Sequence, residues 1–339
     1  MILMQIRLGL ILFFSISLIA CKYDQKNIQS TNLSNDYDTL EVLNHRIFEH
    51  ANSDSLYIDR AKYYFQNETF DSAIIDIRRA IYLNPKQANY YFYLSDAYLM
   101  SYDSKKALAI LDTAIAEFPD YIPVFLKKAK LQLILKSHMN AIATLDRVFI
   151  LDPQNADGYY LAGHILSEMG DTGRAINSYQ KAVDLNPDLR EAWIQLGDVM
   201  TSLNNPLALR YYENAIRLDT SDIETMHNRA YALQKFGKLN EAIFEYKSNI
   251  SNFPGYELSY YNLALLYAKS DSNDLAIAYF TDAIKLNDQE ASSYYQRGRC
   301  YEKLSKKAEA LVDYKKAIEL DQNYSEAKKS LSRLEKQYN

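Results

Sequence analysis

A small residue, an alanine and a second small residue return at fixed offsets along this chain, eight times, with a period of about 34 residues. The first small position reads Ala61, Ser95, Ala129, Gly163, Gly197, Ala230, Ala264 and Gly298. The second is alanine in every copy: Ala73, Ala107, Ala141, Ala175, Ala208, Ala242, Ala276 and Ala310. The third reads Ala80, Ala114, Val148, Ala182, Ala215, Asn249, Ala283 and Ala317. No other feature constrains the fold as tightly. The same close approach between two elements must be built again in each of the units 54–87, 88–121, 122–155, 156–189, 190–222, 223–256, 257–290 and 291–324.

Inside a unit the spacing predicts two short amphipathic helices, A and B. In the fourth, Tyr159, Ala162, Gly163 and Leu166 share one face at i, i+3, i+4 and i+7. Helix B then runs through Ala175, Tyr179 and Ala182, and Asn186-Pro187 closes the unit, because proline stops a helix and restricts the residue before it. A missing side chain where two helices touch lets their axes approach to roughly 8–10 Å.

The best-preserved copy runs Trp193, Leu196, Gly197, Ala208, Ala215. Others run Leu94, Ser95, Tyr98, Ala107, Ala114, Pro119 and Leu263, Ala264, Tyr267, Ala276, Phe280, Ala283. This pattern resembles the tetratricopeptide repeat. The resemblance implies an all-α, right-handed α-solenoid of about eight such helix-turn-helix repeats with capping helices. It also implies a protein that binds partners and is not an enzyme.

In that family helix A lines a concave groove and helix B the outer surface. Carried over unit by unit, the fifth residue should face the groove: Ile58, Phe92, Leu126, Tyr160, Ile194, His227, Tyr261 and Tyr295. Seven of these are apolar or aromatic, an exposed stripe of the kind that marks a partner site. Phe92, Tyr160, Tyr261 and Tyr295 are expected to be anchors that are not needed to close the helix pair, whereas Tyr159 and Tyr260 belong to the core. Further along lie Phe65, Leu99 and Leu133, then Ser167, Thr201 and Gln234, so the groove should become more polar along the chain. The sixth residue in units 5–8 reads Gln195, Asn228, Asn262 and Gln296, amides that offer a donor and an acceptor each to an extended peptide. The Lys, Asn and Arg set with which some members clamp a C-terminal carboxylate is not found.

Departures from the pattern carry their own expectations. Repeat 5 is one residue short at its Asn204-Asn205-Pro206 turn. Thr220, Asp288 and Gln322 replace the closing proline, so those turns should be less rigid. Asn249 takes a close-packing position where a buried amide needs partners. Because stacked repeats need polar caps at both ends, residues 38–53 read as an N-terminal cap, with Leu40, Leu43, Ile47 and Phe48 at helical spacing. Residues 325–339 read as a C-terminal cap, with Ala327 and Leu331 inward and Lys328, Lys329, Arg333, Glu335 and Lys336 outward.

The first twenty residues differ in kind. Arg7 precedes an apolar run from Leu8 to Ala20, too short to span a bilayer and shaped like a secretory signal. It ends Leu18-Ile19-Ala20-Cys21, which resembles the bacterial lipobox and implies cleavage before Cys21 and acylation of that cysteine. Residue 22 is lysine, not the aspartate that commonly retains such proteins at the inner membrane, so an outer-membrane address facing the periplasm is expected. Residues 21–37 then form a polar tether with a mean reach of about 20–25 Å.

The formal charge of −5 argues against nucleic-acid binding. No phosphate loop, zinc-spaced cysteine pair or His-Glu-x-x-His motif occurs, and His45, His50, His138, His164 and His227 are scattered, so no metal, cofactor, catalytic residue or small-molecule substrate is expected. Cys300 reads as a half-buried filler. The expected function is a lipoprotein scaffold holding partner proteins or peptides near the membrane. The alternative is a structural subunit of an envelope assembly or secretion complex, packing through its convex face or its ends.

Overall fold

The computed structural model describes residues 36–336, with side chains from residue 39. The signal segment 1–20, Cys21 and nearly all of the tether lie outside the described residues. Among the described residues every regular element is an α-helix, eighteen in all. A lone helix, α1 (Asp36–Glu49), is followed by eight A/B pairs. They are α2 (Asp54–Gln66) with α3 (Phe70–Leu83), α4 (Ala88–Met100) with α5 (Ser104–Glu117), α6 (Ile122–Ile134) with α7 (His138–Leu151), and α8 (Ala156–Glu168) with α9 (Thr172–Leu185). The series continues with α10 (Arg190–Ser202) and α11 (Leu207–Leu218), α12 (Ile223–Lys235) and α13 (Leu239–Asn252), α14 (Glu257–Lys269) and α15 (Asn273–Leu286), and α16 (Ala291–Lys303) and α17 (Lys307–Leu320). Helix α18 (Ser325–Lys336) ends the series. The chain divides into two compact units, with the boundary between Ile110 and Leu111 inside α5.

The small residues make the pairs. The alanine of the second column is fully buried in all eight repeats. In the second unit each A helix packs on its own B helix, each B helix on the next A, and α10, α12, α14 and α16 also touch from one A helix to the next. That last contact puts the A helices on the inside of the bend and leaves the B helices outside.

All eight A helices end alike. The residue at position 15 of each unit has positive φ, from +55° to +80°, at Glu68, Tyr102, Lys136, Gly170, Asn204, Gly237, Asp271 and Ser305. The next N–H then bonds the carbonyl five residues back, as in Thr69 to Tyr64 and Ser137 to Gln132, both 2.8 Å. This is the Schellman closure, which satisfies carbonyls that a helix end leaves bare. Only two copies place glycine there.

The turns between repeats hold whether or not proline is present. Asp152, Asn186, Asp219, Asn287 and Asp321 each accept an N–H two residues on, at 2.8–3.2 Å. Three of these turns carry Thr220, Asp288 or Gln322 in place of proline, so the expected slackness is offset by a side-chain oxygen that mimics a backbone turn. Proline contributes something else. Tyr91, Tyr159 and Tyr260 donate from their hydroxyls, and Trp193 from its indole N–H, to the carbonyl of the proline six residues earlier, at 2.8–3.3 Å. Each bond latches a repeat to the one before it.

In repeat 5 the missing residue falls at the start of helix B: α11 has 12 residues where the other B helices have 14. The Schellman closure at Asn204 and Asn205 is intact. At the C-terminal cap Ala327 and Leu334 are buried and Leu331 half-buried, with the five charged residues outward. At the N-terminal cap Leu43 and Ile47 are buried, but Phe48 is 87% exposed, contrary to expectation. It follows Ile47 directly and so points about 100° away around α1, which packs against α2 through its Leu43–Ile47 face.

Candidate functional site

The fifth-position residues do not form an exposed stripe. Ile58 and His227 are buried, and Phe92, Leu126, Tyr160, Ile194, Tyr261 and Tyr295 are half-buried. What covers them is the residue at position 24 of helix B, a column that reads Ile77, Leu111, Leu145, Tyr179, Tyr212, Tyr246, Phe280 and Tyr314, all nearly fully buried. In the last five repeats it is aromatic and reaches beneath the A helix. The Tyr160, Tyr261 and Tyr295 rings lie 6.1, 5.6 and 5.8 Å from Tyr179, Phe280 and Tyr314. These tyrosines therefore help to close the helix pair, which corrects the expectation that they are free anchors. Tyr159 and Tyr260 are half-buried and serve as latches to Pro153 and Pro254.

In repeats 4, 5 and 8 glycine at position 8 makes room for the tyrosine ring, whereas repeats 6 and 7 keep Ala230 and Ala264 there. A Cβ on Gly163 or Gly197 would stand 2.5 Å from the Tyr179 or Tyr212 ring, and one on Gly298 2.9 Å from Tyr314. The hydroxyls then emerge on the groove side of helix A. That of Tyr212 donates to Asp198 at 2.7 Å, that of Tyr246 to Gln234 at 3.2 Å and that of Tyr314 to Glu302 at 2.8 Å. Tyr179 is the exception: its hydroxyl is buried and has no partner.

Two of the four sixth-position amides are engaged within the chain. Asn262 Nδ2 lies 3.0 Å from His227 Nε2, whose Nδ1 is 3.4 Å from the Ser259 hydroxyl. Gln296 accepts from Arg299 at 3.1 Å. Gln195 and Asn228 are half-buried on the same face. His227 was expected to face a ligand. Instead it is 6% exposed, and burial pushes its imidazole down to about 4, so it stays neutral. Asn249 is buried with its Nδ2 unpartnered.

Residues one turn to either side of position 5 share its face, and of these only His164 is placed on the concave side by the sequence. At position 2 stand Asp157, Glu191, Glu224 and Leu258, and at position 9 His164, Asp198, Tyr231 and Leu265. Tyr231 and Leu258 are the exposed apolar residues here, at 46% and 45%. Tyr160, His164 and Asp198 remain half open to solvent, yet burial dominates all three titrations. Protein on several sides with solvent on one is the mark of a concave wall. Burial holds His164 neutral, down to about 4, and lifts the Asp198 carboxyl above its usual range despite the Tyr212 bond. Asp157 is raised by burial first and then by Glu191. At position 13, Lys235 donates to the Thr201 carbonyl at 2.7 Å and Lys303 to the Asp271 carboxylate at 2.8 Å, tying each helix to the end of the preceding A helix.

Among the described residues no group of three or more His, Cys, Asp or Glu is placed to hold a metal, and no helix is long and apolar enough to cross a membrane. Cys300 is buried, which raises its thiol above the usual range and keeps it unreactive.

Family models described as tetratricopeptide repeat match residues 58–122, 156–189, 258–290 and 291–324. The C-terminal part of a TPR repeat-containing protein from Cytophaga hutchinsonii superposes with a TM-score of 0.59 at 19% identity, covering 71% of this chain and 99% of that one. Protein O-mannosyl-transferase TMTC1 from Homo sapiens is 22% identical over 160 residues, 46% of this chain and 18% of its own length. The DnaJ homolog subfamily C member 7 homolog from Schizosaccharomyces pombe is 24% identical over 297 residues, 82% of this chain and 58% of its own. The chain spans 17% to 34% of the length of the first three curated relatives, so each likeness is to part of a longer protein.

Proposed function

We propose that this chain, a tetratricopeptide-repeat protein, is a protein-interaction scaffold whose helix-A wall in the second unit receives an extended segment of a partner. The observation that carries this reading is the concave wall itself. Positions 2, 5 and 9 of successive A helices hold aromatic, apolar and ionisable side chains, crowded by protein yet open to solvent on one side. Such a surface suits a peptide that can bury side chains and still satisfy its own backbone. The scaffold is tethered through acylated Cys21 to a membrane of the bacterial envelope, facing the periplasm; the Leu18–Cys21 motif after the apolar run supports this. Intact mass of the membrane-extracted protein should show residues 1–20 removed and a lipid on Cys21; a free thiol or a retained leader overturns the tether.

Groove binding is tested by crosslinked recovery of partners from native membranes. Tyr231→Ala and Leu258→Ala should keep the helical circular-dichroism signal and the melting temperature while partner recovery falls, because both side chains are exposed on the groove wall. If the variants fold and keep every partner, binding runs through the outer face or the ends, as in a structural subunit.

A further inference from the structure

The groove wall of repeats 4 and 5 is negatively charged and only partly compensated. Asp198 receives the Tyr212 hydroxyl on Oδ1 and no cationic side chain offsets the cost of its burial. Glu191 lies 3.5 Å from Arg190, but that guanidinium is engaged more closely by Asp222. Asp157 feels the like charge of Glu191 more than the opposing charge of Lys130. Glu191 and Asp198 are seven residues apart on one helix, roughly 10 Å along its axis, with position 5 between them.

A second observation points into the same place. The helix-B tyrosine hydroxyls of repeats 5, 6 and 8 end on acceptors at position 9 or 12 of their own A helix. In repeat 4 those positions are His164 and Ser167, and neither takes the Tyr179 hydroxyl. Tyr179 is fully buried, its ring 5.5 Å from His164 and 6.1 Å from Tyr160. Asp198 and Glu168 both act on it electrostatically. A buried hydroxyl without a partner is costly, and its counterparts Tyr212, Tyr246 and Tyr314 direct theirs to the groove side of helix A. Glu168 itself is occupied by Lys136 and His138.

We propose that the helix-A wall of repeats 4 and 5 seats a lysine or arginine of the partner's extended segment. The cationic head meets Asp198 and the Tyr179 hydroxyl, its stem lies over Tyr160 and Ile194, and Asp157 and Glu191 set the negative potential at the rim. An ammonium or guanidinium supplies what each group lacks: a counter-charge for Asp198 and a hydrogen bond for Tyr179, whose oxygen accepts from it. Tyr160 offers an aromatic ring that a cation also prefers. This inference rests on groove binding as proposed above and names the chemistry of its occupant.

The test is selection of a randomised dodecapeptide library on the full chain, followed by fluorescence-anisotropy titration of an enriched peptide. Lysine or arginine should dominate one fixed position. Asp198→Asn should weaken that peptide by at least about tenfold, and changing its basic residue to glutamine should cost as much in the unaltered protein and little in the variant. Tyr179→Phe, which removes a hydroxyl with no partner in the free protein, should leave the melting temperature unchanged or higher yet weaken the peptide; a purely structural Tyr179 gives no loss of affinity. Peptides that lose binding on Tyr231→Ala or Leu258→Ala, but show no basic preference or keep it in Asp198→Asn, overturn the cation site and leave the groove standing. Failure to enrich peptides, or indifference to the groove variants, overturns both.

Discussion

Repeats 1–3 and repeats 4–8 solve the same packing problem with different side chains. Position 24 is Ile77, Leu111 and Leu145 in the first group and Tyr179, Tyr212, Tyr246, Phe280 and Tyr314 in the second. In repeat 3, Leu145 packs in one buried cluster with Ala129. In repeats 4 and 5 a tyrosine ring occupies the space an alanine Cβ would fill, so the small residue opposite has shrunk to glycine. The aliphatic pairing is dry. In repeats 5, 6 and 8 the aromatic one carries a hydroxyl through the helix pair to an acceptor on the groove side and so couples core packing to the polarity of the binding wall. A repeat can therefore change what its groove offers by altering a residue on helix B, behind the groove-lining helix.

The sharpest way to break this contrast is Gly163→Ala. The added methyl meets the Tyr179 ring at 2.5 Å, and overpacking of this sort costs about 1–3 kcal/mol. Urea unfolding should show that loss. A second change, Tyr179→Leu, should recover most of it by converting repeat 4 to the Ala–Leu pairing of repeat 3. If the double variant is no more stable than the single, glycine and tyrosine are not a matched pair.

Acid provides the next test, because both groove-wall histidines lie in the aromatic repeats. His164 and His227 are held down to about 4 by burial, against about 6.5 when unfolded. Both are neutral and cost nothing above pH 6.5. As pH falls from there toward 4 the unfolded chain takes up protons that the folded chain refuses, so stability drops, by roughly 1–2 kcal/mol per histidine at pH 5. Asp157 and Asp198 are raised and act with the opposite sign, favouring the folded state as they protonate on the way down toward 3.8. His164→Gln with His227→Gln should abolish the histidine loss in a pH series of melting temperatures and leave the carboxylate gain.

A smaller effect is expected at the left-handed helix ends. All three aliphatic repeats place a side chain at position 15 (Glu68, Tyr102 and Lys136), whereas Gly170 and Gly237 occupy it in repeats 4 and 6. Lys136→Gly should stabilise by about 1 kcal/mol, since glycine adopts this conformation without a Cβ penalty. The same change one residue later should destabilise. The smallest effect is at Asn249. Its Nδ2 is buried without a partner, so Asn249→Ala should be neutral or stabilise by about 0.5–1 kcal/mol. A fall in the unfolding midpoint would show that the amide is satisfied after all.

The repeats were legible because their signal is local and reiterated: an alanine recurs at the same offset in seven copies and one residue earlier in repeat 5, which leaves a single helix phase. The groove was legible only in outline. Position 5 does lie on the A helix as expected, but its burial depends on position 24, nineteen residues away on another helix. That column stands in the sequence as Ile, Leu, Leu, Tyr, Tyr, Tyr, Phe, Tyr, and aligning it would have shown which groove aromatics rest on a second ring. The His227–Asn262 and Lys235–Thr201 bonds span 35 and 34 residues and join adjacent repeats, so no spacing within one repeat reveals them. The Schellman ends were hidden for another reason. Six of the eight lack glycine, and of those only Asn204 and Asp271 are of a type that favours positive φ.

The latch from position 4 to the preceding proline carbonyl is absent on entry to repeat 3, where the residue is Phe125, and to repeat 6, where it is Met226. Neither side chain has a proton to give. Along the second unit, strongly and weakly coupled joints therefore follow one another. Under a pulling force such a series does not yield evenly. Parting begins at the weak couplings, and each repeat released adds roughly 110–120 Å of extended chain. Repeat 6 is held on its upstream side by side-chain apolar contact, the Lys235 tie and the Asp219 turn, without the aromatic bond that fastens repeats 4, 5 and 7. A load transmitted through the second unit would thus meet less side-chain hydrogen bonding at the entries to repeats 3 and 6 than at those to repeats 4, 5 and 7.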